Sequence, residues 1–102
     1  MNRVFICSPY RGDVTANVRL AQHMCSEAIG RGFAPFAPHL IYPAILNDND
    51  PKEREAGIAA GIAFLLLCDE VWVPKGIEPS AGMAYELKRA RWATIPVVEV
   101  EV

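Results

Sequence analysis

The chain has no G-x-G-x-x-G fingerprint, no Walker loop, no C-x-x-C pair and no cluster of His, Cys, Asp and Glu at metal-ligand spacing. Dinucleotide oxidoreductase and P-loop nucleotidase chemistry therefore lose their main supports, zinc knuckles are disfavoured, and neither a metal nor a cofactor is expected. Basic runs are scarce too. No stretch of Lys or Arg exceeds two residues and the formal net charge is -2, so the electrostatic footprint of a protein that grips a nucleic acid polymer is missing. The longest apolar stretch, around 56–68, is too short and too rich in Gly and Ala to span a bilayer. No charged segment precedes an apolar one at the start of the sequence. Cys7, Cys25 and Cys68 are odd in number, which argues against a disulfide framework and for small buried hydrophobes in a reduced compartment. The expectation is a soluble cytoplasmic protein, without membrane or nucleic acid partners, that handles a small molecule.

What is present is apolar. Hydrophobic residues make up 52% and charged residues 22% of 102 positions, which excludes disorder. One domain, 1–102, is expected, able to bury roughly 60–70% of the surface its unfolded chain exposes. For so small a domain the apolar surplus points to a buried contact between subunits.

The chain alternates strand and helix. "RVFIC" (3–7) is a short apolar run closed by the turn "SPYRG". From Val14 the period becomes helical, with Val18, Ala21, Cys25, Ala28 and Ile29 on one side, and Gly30 and Gly32 mark the end. "FAPFAPHLIYP" (33–43) starts as a strand, but its three prolines confine it to a short edge strand followed by an irregular loop. In "NDNDPKERE", Asp50 suits a helix cap, Pro51 the first helical position and Glu53 a capping-box partner, predicting a second helix over 51–67. That helix is apolar nearly all round in its last three turns, so it is expected to be deeply packed or pressed against another subunit. "DEVWV" (69–73) is a third strand, Ser80 caps a third helix over 81–93 with Met83, Leu87 and Ala90 inward, and "IPVVEV" supplies a fourth strand. Such alternation calls for right-handed crossovers and a parallel sheet covered on both faces. The expected fold class is α/β, a three-layer flavodoxin-like or Rossmann-like sandwich with strand order 2-1-3-4.

Ligands of such sheets bind beyond the carboxyl ends of the strands, where the winding reverses. That places "CSPYRGD" (7–13) beside "PKGIEPSAGMAYE" (74–86), and both lead into helix N-termini that favour an anion. Glu86 falls on the shoulder of the third helix's apolar stripe, about 60° from Met83. A half-buried carboxylate there serves as nucleophile or general base, or is a solvated helix glutamate. Arg11 can pair with an anionic group, and Ser8 and Ser80 can donate hydrogen bonds or simply form turns and caps. Tyr10 is pocket wall or turn packing. His39 lies at the same sheet end, as catalyst or as structural hydrogen-bonder.

"VFICSPYRGD", followed by "CDEVWVPKGIEPSAGMAYELKRA" and "IPVV", resembles the nucleoside 2-deoxyribosyltransferase and 2′-deoxynucleoside 5′-phosphate N-hydrolase superfamily over nearly the whole chain. The resemblance extends to short superfamily members of undefined function, often encoded by phages or bacteria. It implies that Glu86 attacks the anomeric carbon of a deoxynucleoside or its monophosphate, leaving a covalent ribosyl-enzyme for water or another base. It further implies a phosphate site drawn from Ser8, Arg11, Gly12, Ser80 and Gly82, and assembly as a homodimer or larger homo-oligomer; Pro9, Asp13 and Met83 complete the expected substrate site, and Tyr10 and His39 the expected catalytic set. A nucleotide-binding module without turnover is the alternative. The sequence departs from the superfamily in two places. Phe5 stands where a strand-one tyrosine is expected, and "AAGIAFLLL" lacks the acid that handles the base, with Asp48, Asp50 and His39 as candidates to take its place.

Overall fold

The computed structural model describes residues 1–102. Four strands, β1 (Arg3–Ile6), β2 (Ala34–Phe36), β3 (Glu70–Pro74) and β4 (Val97–Val100), form one sheet in the order β2-β1-β3-β4. Every pairing is parallel, with Val4 opposite Glu70 and Val71 opposite Val97. The order follows from connection. Helix α1 (Val14–Gly30) links β1 to β2, α2 (Pro51–Leu65) leads from β2 to β3, and α3 (Ala81–Trp92) links β3 to β4.

Because successive strand side chains face opposite ways, the sheet builds two cores. Val4, Ile6 and Trp72 pack with Met24 and Ala28 of α1 on one face. Phe5, Cys7, Val71 and Val73 pack with Leu65 of α2 and Met83, Leu87 and Ala90 of α3 on the other. The result is the expected three-layer α/β sandwich, and Val4, Phe5 and Ile6 of the central strand are fully buried.

The caps set the helix starts. Asp13 Oδ1 accepts from the Ala16 amide at 3.1 Å, Asp50 Oδ1 accepts from Lys52 and Glu53 at 2.9 and 3.4 Å, and Ser80 Oγ accepts from Met83 at 3.2 Å. Helix α1 ends at the glycines foreseen, with Gly32 in the left-handed region at φ +84°. β2 pairs with β1 alone, so Pro35 withholds an N–H only from an edge. Two 3₁₀ turns, Pro38–Leu40 and Tyr42–Ala44, fill the segment read as irregular.

Three details differ from expectation. The buried stripe of α1 is Ala21, Met24 and Ala28, whereas Ile29 is 65% exposed; only one face of this helix meets the sheet. α2 stops at Leu65, because Leu67 and Cys68 donate to carbonyls three residues back and tighten the chain toward β3. Glu53 does not return to Asp50; its carboxylate accepts from Asn47 at 3.2 Å and closes the preceding loop instead. The last turns of α2 bury Ile62 and Leu65 in the core, while Phe64, and Leu66 and Leu67 just beyond the helix, are exposed on this chain.

Candidate functional site

β1 and β3 lie side by side, and the chain leaves their carboxyl ends toward α1 on one face and α3 on the other. The turn after β1 is held from several directions. Cys7 donates its amide to Trp72 at 2.9 Å, and Gly12 adopts φ +96°, which a side chain would strain. The Asn17 amide of α1 donates to the carbonyls of Tyr10 and Arg11 at 3.0 and 3.1 Å.

The same turn grips the 38–49 segment. Arg11 donates from Nε to the Asp48 carboxylate at 2.9 Å and from Nη2 to the Asp48 carbonyl at 3.0 Å. The Tyr10 ring stacks on His39 with centroids 5.3 Å apart. Burial lowers the His39 pKa, opposed by the Ser8 carbonyl and the Asp48 charge, so the imidazole favours its neutral form.

Glu86 lies in the second turn of α3, six residues beyond the Ser80 cap and above the end of β1. Its Oε1 is buried without a hydrogen-bond partner. Burial pushes its pKa up to about 7, and the Cys7 thiol pulls the other way. That thiol donates to the Met83 carbonyl at 3.7 Å. Burial first, and the neighbouring Glu86 second, hold the thiol itself well above its usual range, so Cys7 is no nucleophile.

Glu86 opens into a pocket of about 60 Å³ that it shares with His39, Asp48, Glu53 and Arg54. Gly57 and Gly61 of α2 lie where the covering segment packs closest on the helix. A methyl group on Gly57 would sit 3.3 Å from Leu46 Cδ1, and one on Gly61 3.5 Å from Pro38 Cβ. A wider depression on the far side of the covering segment is lined by Tyr10, Arg11 and Gly12, and shares Pro43, Leu46 and Asp48 with the first. As it stands the inner pocket, about 60 Å³, has room for a few waters rather than for a nucleotide.

The structure thus brings Glu86 and His39 together, with Tyr10 behind the histidine. Ser8, Pro9, Asp13, Ser80, Gly82 and Met83 line neither depression. The Ser8 and Met83 side chains are buried, and those of Asp13 and Ser80 cap helices. Of the three replacements for the missing acid, His39 and Asp48 line the pocket and Asp50 caps α2. Nothing singled out Arg54 or Tyr42 in the sequence. The available signal was the spacing from the Asp50 cap, which sets Glu53, Arg54, Gly57, Ile58 and Gly61 on one face of α2. No group of His, Cys, Asp and Glu is arranged to hold a metal ion, and no helix is long and apolar enough to cross a membrane.

The fold is shared with nucleoside-handling enzymes. A 2-deoxyribosyltransferase from Bacillus psychrosaccharolyticus superposes with a TM-score of 0.78 at 13% identity, over 97% of this chain and 72% of that one. A 2-desoxiribosyltransferase from Leishmania mexicana does so with a TM-score of 0.71 at 16% identity, over 99% and 65%. A Clostridium botulinum CMP N-glycosidase does so with a TM-score of 0.59 at 14% identity, over 98% and 71%. The chain therefore spans about two thirds of the length of these structures, and identities this low speak for the fold alone. No curated protein matches the sequence. One family model covers residues 2–100, and the protein belongs to that family, described as a domain of unknown function, DUF7768.

Proposed function

We propose that residues 1–102 act as one nucleoside deoxyribosyltransferase-like domain that cleaves the N-glycosidic bond of a 2′-deoxynucleoside 5′-monophosphate or related nucleotide, with Glu86 as nucleophile. One observation carries the reading: a desolvated carboxylate with an unpartnered oxygen, in a pocket at the switch point of the sheet. Glu86 forms a bond to the anomeric carbon as the bond from that carbon to the base nitrogen breaks, and the electron pair leaves with the base, which takes its proton from solvent. Water then attacks the same carbon, releases Glu86 and yields the free sugar phosphate, as in a retaining glycosidase. His39, neutral and steadied by Tyr10, suits this second step, in which it takes the proton of the attacking water. Transfer to another base would replace that water.

The turn 8–13 serves the site indirectly, since Tyr10 and Arg11 hold the segment that lines the pocket. Exposure of Phe64 at 48%, Leu67 at 59% and Trp92 at 79% supports a homodimer or larger homo-oligomer, testable by light scattering at micromolar concentration. A cytoplasmic location accords with the three free thiols.

The test is free base, followed by chromatography, from a panel of deoxynucleotides and ribonucleotides. Release by the wild type that Glu86→Gln abolishes supports the reading. No release from any, or release that survives the substitution, removes it. A binding module without turnover is favoured by one observation. With a pKa of about 7, Glu86 is about half protonated at neutral pH, which a ligand-binding carboxyl tolerates better than a nucleophile.

A further inference from the structure

The charged groups around Glu86 are unequally engaged. Asp48 is paired with Arg11, Glu53 accepts from Asn47 and His39 stacks on Tyr10. Two groups keep unused capacity: Glu86, whose Oε1 is buried and unbonded, and the Arg54 guanidinium, which makes no side-chain hydrogen bond and comes within 4.0 Å of no carboxylate. Opposite charges that line one pocket and do not meet leave room between them for a group that satisfies both.

Position sharpens the case for Arg54. It is the fourth residue of α2, and its amide donates to Asp50 at 2.8 Å. A cation in a first helical turn faces the positive end of the helix dipole, an arrangement unfavourable by itself and favourable once an anion arrives. Arg11, the other arginine at this end of the sheet, is held by two contacts with Asp48 and is not free for a ligand.

We propose that Arg54 is the anion receptor of the pocket, taking the phosphomonoester of a ligand whose anomeric carbon faces Glu86, and so discriminating a nucleotide from a neutral nucleoside. A guanidinium offers two parallel N–H donors to phosphate oxygens, a match that an ammonium cannot reproduce. The proposal rests on the ligand class of the glycosidic reading but not on turnover. It moves phosphate recognition from the turn after β1 to the first turn of α2.

The experiment titrates the full chain with 2-deoxyribose 5-phosphate, 2-deoxyribose and inorganic phosphate by thermal shift and calorimetry, in wild type, Arg54→Gln and Arg54→Lys. Wild type is expected to bind the sugar phosphate at least tenfold more tightly than the sugar or phosphate alone. Arg54→Gln should lose at least tenfold with an unchanged circular dichroism spectrum, and Arg54→Lys should recover part. Wild-type affinity in Arg54→Gln, or no preference for the sugar phosphate in wild type, overturns the proposal. Base release that is equal for nucleosides and nucleotides, and indifferent to Arg54→Gln, overturns it while leaving the glycosidase reading intact. Arg54-dependent sugar phosphate binding without any base release leaves this proposal standing and removes the catalytic one.

Discussion

Burial of Glu86 ties stability to pH with a definite sign. A glutamate that ordinarily titrates at 4.5 holds its proton here to about 7, because leaving water disfavours the charged form. The folded state therefore binds the proton more tightly than the unfolded chain does. The stabilisation is fully present below pH 4.5 and is lost as pH rises through about 7. The loss amounts to about 3 kcal/mol, an upper value for a group not wholly enclosed. In a domain of this size that corresponds to a fall in Tm of about 10–20 °C. His39 acts in the opposite direction: its pKa is lowered by burial, so its contribution grows as pH rises toward its ordinary value. The decisive quantity is consequently the difference between wild type and Glu86→Gln, which carries the same histidine. Calorimetric melts from pH 4.5 to 8 should show wild type losing stability relative to Glu86→Gln across that range, whatever the offset from an amide left without partners. Parallel curves would refute the desolvated carboxyl, and with it the physical basis of the candidate site.

Three further outcomes are expected. Cys7→Ala removes the thiol that pulls the Glu86 pKa down, so the carboxyl should titrate above its wild-type midpoint in a carbon-13 NMR experiment; an unchanged midpoint contradicts the contact. Asp50→Ala deprives Lys52 and Glu53 of their cap and should cost about 1 kcal/mol in urea unfolding, against near-zero cost if solvent replaces it fully. Asp48→Asn breaks an ion pair whose side chains are 56% and 32% exposed, so it should cost well under 1 kcal/mol globally, yet amide exchange across 42–50 should quicken at least severalfold. Unaltered exchange there would show that Arg11 does not hold the covering segment down.

The fold was legible because local signals agreed with one another. Asp50 and Ser80 each stand before a helical period and each caps a helix, and strands alternating with helices call for a parallel sheet. The inward set of α3 was legible for the same reason, since Met83, Leu87 and Ala90 recur at helical spacing and all three are buried. What failed was local in another sense. Ile29 fits the helical period of α1, but period alone does not tell how wide a face the sheet will cover. Glu53 matches a capping box, but Asn47, brought back by the turn before α2, offers a competing donor.

The site was half legible, and the division is physical. Placement of Glu86 followed from an angle on a single helix, and that Tyr10 and Glu86 gather at one end of the sheet followed from topology. The partners of Glu86 did not follow from either, because they come from the segment between β2 and α2, whose course is set by prolines and 3₁₀ turns rather than by a repeating period. Only in three dimensions does Gly57 let Leu46 and Tyr42 approach α2, and only then does Arg54 face the same pocket as Glu86. The two clamps on that segment, the Arg11–Asp48 pair and the Tyr10–His39 stack, are both rooted in the turn after β1. Weakening either clamp should therefore free the cover over Glu86 from the turn, although neither side chain of the turn is itself available to a ligand.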